Sequence, residues 1–109
     1  MADLFTKSCV PCRKGSPGVS RAEAETMLAQ LPGWSMTDDG AWLRKSYPFP
    51  NFLQALAFTN KVGELAEVQR HHPDIALGWG YVDIRLQTHA IGGLHLNDFI
   101  LAAKIDKNQ

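Results

Sequence analysis

The sequence has little cysteine, no excess of charge of either sign and no long apolar run. Of its 109 residues, 11 are Lys or Arg and 11 are Asp or Glu, so it offers neither a basic field for nucleic-acid phosphates nor an acidic tail. No stretch approaches the roughly 18 consecutive apolar residues that a membrane helix needs. The N-terminal segment MADLFTKSCVPCRKG lacks the continuous apolar core of a secretory signal. We therefore predict a cytoplasmic single-domain protein that binds neither nucleic acid directly nor a membrane.

Both cysteines lie near the N-terminus, as Cys9-Val-Pro-Cys12, ahead of a run rich in glycine, proline and serine. This composition predicts a flexible N-terminal arm over residues 1–19 and a folded domain over residues 20–109. A CxxC pair can be half of a zinc site or a redox dithiol, but zinc needs four ligands and thioredoxin-type chemistry needs a βαβ context that is missing here. We favour a chemically idle pair, while a disulfide between the two cysteines, or a metal site completed by a second subunit, stays open.

Apolar periodicity and capping residues predict three helices and four short strands. Ser20 with Glu23 forms a capping-box pattern and Asn51 is a second candidate N-cap. The predicted helices cover about residues 21–30, 52–70 and 96–104, and the predicted strands cover 34–36, 42–49, 75–77 and 81–88. The short connections favour an α+β domain with a four-stranded, mostly antiparallel sheet and the helices packed on one face. So small a sheet leaves an edge or a face uncovered, which favours a homo-oligomer.

Three of the four histidines lie at predicted element boundaries. His71 and His72 precede Pro73, which pushes His72 out of the α region and so ends the second helix. His89 follows Thr88 at the far end of the last strand. Because imidazole titrates near neutrality, several imidazoles at one pocket suit a reaction that gives one proton and takes another. Dehydration is such a reaction.

Two other interpretations of the histidines compete with this one. Three histidines with an open position can hold catalytic zinc, but His71 and His72 are adjacent and would diverge, and no HxH, HxxxH or HExxH spacing occurs. Alternatively, the histidines only fill helix and strand ends. We assign that structural role to His95, as an exposed residue near a helix start.

Four further side chains have both a functional and a structural interpretation. Glu67 lies one turn before His71, where it could orient an imidazole, accept a substrate N–H or simply be solvated. Asp98 lies in the first turn of the last helix, where binding backbone amides or favouring the helix dipole is the default role. Trp34 and Trp79 could wall a planar ring, although such residues are more often part of the core.

The spacing of these residues resembles the signature of the pterin-4a-carbinolamine dehydratase family. The signature reads Glu67-x3-His71-His72-Pro73, then five residues to Trp79, nine to His89 and eight to Asp98. The resemblance extends upstream through LPGW at Trp34 and the apolar spacing of the second helix, and downstream through THxxGGL. It covers about residues 20–106, and the CVPC segment is similar to an N-terminal extension of some members.

The resemblance implies removal of water from a 4a-hydroxytetrahydropterin, giving the quinonoid dihydropterin, in tetrahydrobiopterin recycling without a metal or organic cofactor. It also implies a four-stranded antiparallel sheet with three helices, and assembly as a homodimer or homotetramer. The implied catalytic residues are His71, His72 and His89. The implied substrate-binding residues are Glu67, His71, His72, Pro73, Thr88, His89, Ala90, Ile91 and Asp98.

The sequence departs from the family pattern at two positions. Ala90 replaces a residue that is often acidic, which predicts altered substrate contacts. His95 replaces the Thr that usually caps the last helix, which predicts an N-cap weaker by about 1 kcal/mol unless Asn97 or the imidazole takes over.

Dehydratase-like proteins also act as binding partners, as a dimerisation cofactor of a transcription factor or as a Rubisco assembly factor. The presence of all three histidines, His71, His72 and His89, favours an enzyme. We expect His71 and His89 to exchange the protons and His72 to orient the pterin.

Overall fold

The computed structural model describes residues 4–11 and 13–108, which form three α-helices and one four-stranded sheet. The elements are α1 (Arg21–Leu28), β1 (Ser35–Met36), β2 (Leu43–Pro48), α2 (Phe52–Gln69), β3 (Asp74–Gly78), β4 (Tyr81–Leu86) and α3 (Leu96–Lys107). The predicted fold class is therefore confirmed. Two short 3-10 turns, Leu4–Thr6 and His89–Ile91, were not predicted. No helix within these described residues is long and apolar enough to cross a membrane.

All strand pairs are antiparallel, in the order β1-β2-β4-β3. The register places Tyr47 opposite Val82 and Leu43 opposite Leu86, and all four are buried on the face that the helices cover. Helix α2 covers this face with Ala55, Phe58, Val62 and Ala66, and α3 with Phe99, Ile100, Leu101, Ala102 and Ile105. Since antiparallel β3 and β4 are joined by a tight turn, the start of β3 and the end of β4 lie at the same end of the hairpin, opposite that turn.

Some sequence predictions differ in detail from the structure, among them the end of α3, which was predicted at residue 104 and lies at Lys107. Helix α1 ends at Leu28 rather than at residue 30, and Phe52, expected in the apolar stripe of α2, is 44% exposed because it is the first residue of the helix. Strand β4 ends at Leu86 instead of continuing to Thr88. Thr88 donates its N–H to the carbonyl of Gly93 instead (2.9 Å), and this isolated bridge turns the chain away from the sheet.

The described part of the N-terminal segment lies against α3 and the end of α2. Leu4 is buried in the core. The Nζ of Lys104 donates to the carbonyl of Phe5 at 2.8 Å, and the N–H of Cys9 donates to Oε1 of Gln69 at 2.9 Å. Cys12 lies outside the described residues, so the structure does not test the predicted role of the CxxC pair.

A polar cluster ties the C-terminal half of α3 to the sheet. The carboxylate of Asp106 accepts hydrogen bonds from Lys45 Nζ (2.9 Å), Tyr47 Oη (2.6 Å) and Trp34 Nε1 (3.2 Å). Burial raises the pKa of the Tyr47 hydroxyl, and the hydrogen bond that it donates to Asp106 raises it further. Trp34 is thus a core residue with a satisfied indole N–H.

Candidate active site

Helix α2 ends in a left-handed turn that carries the adjacent histidines out of the helix. Arg70 has a φ of 54° and is the only non-glycine residue with positive φ in the described part of the chain. Its N–H donates to the carbonyl of Glu67, and the N–H of His71 donates to that of Ala66 (3.2 Å). Pro73 prevents helical continuation from His72, as predicted from the sequence.

His71 is held by a fully buried carboxylate. Its side chain is 10% exposed, and its Nε2 lies 2.6 Å from Oδ1 of Asp98, whose side chain is 0% exposed. The other oxygen of Asp98 accepts from Thr88 Oγ1 (2.8 Å) and from the N–H of His95 (2.9 Å). Because this carboxylate acts as the acceptor throughout, we assign the proton of neutral His71 to Nε2. Nδ1 is then the ring nitrogen with a free lone pair.

His72 contacts a different carboxylate in a different environment. Its Nε2 is hydrogen-bonded to Oε2 of Glu67, and the two side chains are 61% and 77% exposed. The orienting role considered for Glu67 is therefore directed at His72, because the left-handed turn folds the chain back over the last turn of α2. In this solvated position the contact adds little to stability.

His89 is positioned by a turn and an aromatic ring. It begins the 3-10 turn His89–Ile91, which Gly92 closes with a φ of 61°. The imidazole meets the Trp42 ring edge-on, with 6.0 Å between centroids, and the guanidinium carbon of Arg85 lies 4.6 Å from the centre of the same indole. Trp42 therefore fixes one side of the exposed His89 ring.

The three predicted catalytic histidines, His71, His72 and His89, all line one cavity of about 190 Å³. Ala90 lines this cavity and also a larger one of about 660 Å³, where Ile91 lies too. The segment Thr88–Ile91 thus borders both spaces. Within residues 4–11 and 13–108, no group of three His, Cys, Asp or Glu side chains is arranged to hold a metal ion.

Several residues at this cavity were missed by sequence reasoning. Gln87, Val10 and Asn97 line it, and Trp42 contacts His89. Only Asn97 carried a signal, because it precedes the Asp98 of the signature. Val10 is remote in sequence, so no local pattern could place it here.

The aromatic and capping residues singled out from the sequence lie elsewhere or act differently. Trp79 is 69% exposed in the β3–β4 turn, at the opposite end of the hairpin from the histidines. His95 is not an exposed filler: its Nδ1 accepts the N–H of Asn97 at 3.0 Å and completes a capping box with Asp98. Of the alternatives that the sequence left open for the α3 cap, the structure shows the one in which the imidazole takes over, because its Nδ1 replaces a hydroxyl oxygen as acceptor.

Comparison with known proteins agrees with the resemblance seen in the sequence. Residues 17–108 match the family described as pterin 4 alpha carbinolamine dehydratase. A protein of Halorhodospira halophila, named "Putative pterin-4-alpha-carbinolamine dehydratase", is 52% identical over 103 residues, covering 94% of each chain. A protein of the same name from Methylococcus capsulatus is 49% identical over 104 residues, covering 95% of this chain and 91% of its own.

Two solved structures are similar in fold. One is the transcriptional coactivator/pterin dehydratase of Brucella melitensis, with a TM-score of 0.80, 27% identity and coverage of 84% of this chain and 98% of that one. The other is a pterin dehydratase-like protein described as a RuBisCO assembly factor in the alpha-carboxysome. Its TM-score is 0.61 at 27% identity, covering 70% of this chain and 88% of that one.

Proposed function

Because this chain belongs to the pterin 4 alpha carbinolamine dehydratase family, we propose that it dehydrates a 4a-hydroxytetrahydropterin to the quinonoid dihydropterin in cytoplasmic tetrahydrobiopterin recycling. The observation that carries this proposal is the set of three imidazoles around one cavity, one of which is hydrogen-bonded to a fully buried carboxylate. No metal or organic cofactor takes part in the proposed chemistry.

The reaction needs one proton donor and one proton acceptor. The C4a–O bond breaks as the hydroxyl takes a proton and leaves as water, and N5 loses its proton as the C4a–N5 double bond forms, so the protons balance. We assign His71 as the base, since its Nδ1 carries the free lone pair, and His89 as the acid. A proton taken up at Nδ1 forms an imidazolium paired with Asp98. Asp98 is wholly buried, so it positions His71 and does not touch the substrate.

The remaining predicted binding residues have distinct roles in this scheme. His72, held by Glu67, lines the cavity and orients the pterin. The hydroxyl of Thr88 donates a hydrogen bond to Asp98 and so helps to hold the carboxylate in place. The backbone of Thr88 turns the chain into the His89–Ile91 segment. Pro73 fixes the exit of the histidine pair from α2.

The pterin ring requires more room than the histidine cavity alone provides. Ligand pockets usually measure about 300–1,000 Å³, whereas the histidine cavity measures about 190 Å³. Ala90 borders both this cavity and the larger one. We assign the pterin ring to a position beside Ala90 that extends from one cavity into the other, because the small side chain of Ala90 leaves room between them.

A dehydration assay on histidine variants tests the assignment. His71→Ala and His89→Ala are each expected to lower kcat by about 10² to 10⁴, the usual contribution of a positioned acid or base. His72→Ala is expected to raise KM more than it lowers kcat. The assays are run with a chelator present, because the chemistry uses no metal.

His95→Thr is the matched control, because it replaces the fourth histidine, outside the cavity, with a side chain that can still cap α3. It is expected to keep wild-type kinetics. If folded His71→Ala and His89→Ala both turned over at near the wild-type rate, the proton-transfer assignment would be wrong.

A second candidate function is a binding module, because the two similar structures are described as a transcriptional coactivator/pterin dehydratase and as a RuBisCO assembly factor. The observation that favours it is the sheet face opposite the helices, where Arg44 and Arg85 are exposed and directly opposite each other in register. Exposed like charges in register are unfavourable, and although Asp74 faces Arg85 from β3, the two guanidinium groups together offer a basic surface to an acidic partner. A wild-type chain that showed no dehydratase activity and bound an acidic partner through these two arginines would favour the binding function.

A further inference from the structure

The backbone of Val10 is held at the rim of the histidine cavity by one side chain of α3. Asn97 is 2% exposed. Its Oδ1 accepts the N–H of Val10 at 2.9 Å, and its Nδ2 donates to the carbonyl of Val10 at 2.7 Å. One amide side chain thus satisfies both backbone polar groups of a residue 87 positions away.

A second contact fixes the preceding residue to the other helix of the site. The N–H of Cys9 donates to Oε1 of Gln69 at 2.9 Å. Gln69 is the last residue of α2, two positions before His71, and Asn97 is adjacent to Asp98. The Cys9–Val10 segment is therefore tied to the end of α2 and the start of α3, the two helix ends that carry His71 and its carboxylate.

Val10 is 56% exposed and is one of the residues that line the cavity of His71, His72 and His89. On a mobile segment an exposed valine would contribute little, because ordering it on binding costs conformational entropy. Here the backbone is already fixed by three hydrogen bonds, at Cys9 N–H and at both polar groups of Val10. A ligand in the cavity therefore gains the apolar contact without ordering the segment.

We propose that Val10 is a further substrate-binding residue, whose apolar side chain packs against the ring system of the pterin. This inference rests on the proposed dehydratase function. A valine offers no proton and no charge, so it contacts the substrate and the transition state equally. Its loss is expected to appear in KM and not in kcat.

Val10→Ala is expected to raise KM for the carbinolamine about three- to tenfold, in line with the loss of two buried methyl groups, with kcat within about twofold of wild type. Gln69→Ala, which removes one of the three hydrogen bonds that fix the segment and leaves the start of α3 unaltered, is expected to raise KM in the same direction. Val68→Ala is the matched control, because it is the same change at a residue on α2 that is 76% exposed and outside the cavity. Its KM is expected to match wild type.

Methyl NMR of the full chain, titrated with 7,8-dihydrobiopterin as a non-reacting probe, reports the contact without catalysis. The methyl signals of Val10 are expected to shift together with the ring signals of His71 and His89, while those of Val68 stay in place. If the histidine signals shift and those of Val10 do not, or if Val10→Ala leaves KM unchanged, this inference is wrong and the dehydratase function stands. A wild-type chain that neither binds the probe nor dehydrates the carbinolamine overturns both.

Discussion

The imidazole of His95 caps α3 and is linked to the histidine cavity through the same turn. The ring Nδ1 of His95 accepts the N–H of Asn97, and the backbone N–H of His95 donates to Oδ2 of Asp98. The opposite oxygen of that carboxylate binds His71. His95, which was expected to be an exposed residue with only a structural role, is therefore linked to the proposed base through two hydrogen bonds of Asp98.

The cap makes a prediction for stability. His95→Ala removes the only acceptor that the side chain offers to the first turn, and we expect it to lower the free energy of unfolding by about 1 kcal/mol. His95→Thr restores a capping oxygen, so its stability should be close to that of wild type. Urea denaturation of the three proteins measures both differences. Equal stability of the Ala variant and wild type would show that the imidazole contributes nothing as a cap.

Tyr47 predicts how stability depends on alkaline pH. Burial raises the pKa of its hydroxyl in the folded chain above the ordinary value near 10, so the unfolded chain releases this proton first as pH rises. The stabilisation is therefore complete below about pH 10 and is lost above it, at up to about 1.4 kcal/mol per pH unit for one group. Tyr47→Phe should lack this slope, at a cost of about 1 kcal/mol at neutral pH for the lost hydrogen bond to Asp106.

The measurement is urea denaturation between pH 8 and pH 11. Tyr81→Phe is the control, because it removes a phenol that is 45% exposed, and it should follow the wild-type curve. Parallel curves for wild type and Tyr47→Phe above pH 10 would contradict the assignment.

At the scale of elements, the end of α2 is where the chain adopts an unfavourable backbone to place its histidines. A left-handed helix end is normally glycine or asparagine, but here it is Arg70 with a φ of 54°. The geometry persists because the N–H groups of Arg70 and His71 close the last turn and because Pro73 excludes further helix. Backbone strain of this kind is concentrated at functional sites.

Replacement of this residue tests the strain. Arg70→Gly relieves the steric cost of positive φ and should raise the free energy of unfolding by about 0.5–1 kcal/mol. Arg70→Ala is the matched comparison, because it removes the same side chain and keeps a Cβ, so it should show no such gain. Chemical denaturation gives both values, and an Arg70→Gly protein no more stable than Arg70→Ala would show that the turn is unstrained.

At the scale of the whole molecule, residues 4–11 and 13–108 leave the two edge strands of the sheet open and the face opposite the helices uncovered. Strand β3 is an edge strand of five residues, and Leu53 and Trp79 are 74% and 69% exposed. Large exposed apolar side chains and open sheet edges are each typical of an association surface. A chain of 12.1 kDa buries too little surface alone to make such exposure favourable.

We predict a homodimer or homotetramer, formed by sheet extension or by helix packing. Light scattering coupled to gel filtration at micromolar concentration should give two or four times the mass of the chain. A measured mass equal to that of one chain under these conditions would contradict the prediction. Leu53→Lys, which places a charge on the exposed surface of α2, distinguishes helix packing from sheet extension, since it should dissociate only an assembly that uses α2.

The sequence by itself determined the three helices and four strands, apart from some of their ends, and the chemistry that they carry. The bounds of α2, between the Asn51 cap and Pro73, follow from apolar periodicity and capping residues that act over a few positions. The same local signals place histidines just after α2 and just after β4. The antiparallel β3–β4 hairpin then requires these two boundaries to lie at the same end of the hairpin. Three histidines near one another, and a four-stranded sheet under three helices, are consequences of local pattern.

Only the tertiary structure decided which groups touch. Asp98 pairs with His71 while Glu67 pairs with His72, because the left-handed turn at Arg70 rotates the two imidazoles towards different carboxylates. Val10 reaches the cavity across a separation of 87 residues through Asn97. Such contacts depend on how packed elements are placed relative to one another, and no local period or cap carries that information.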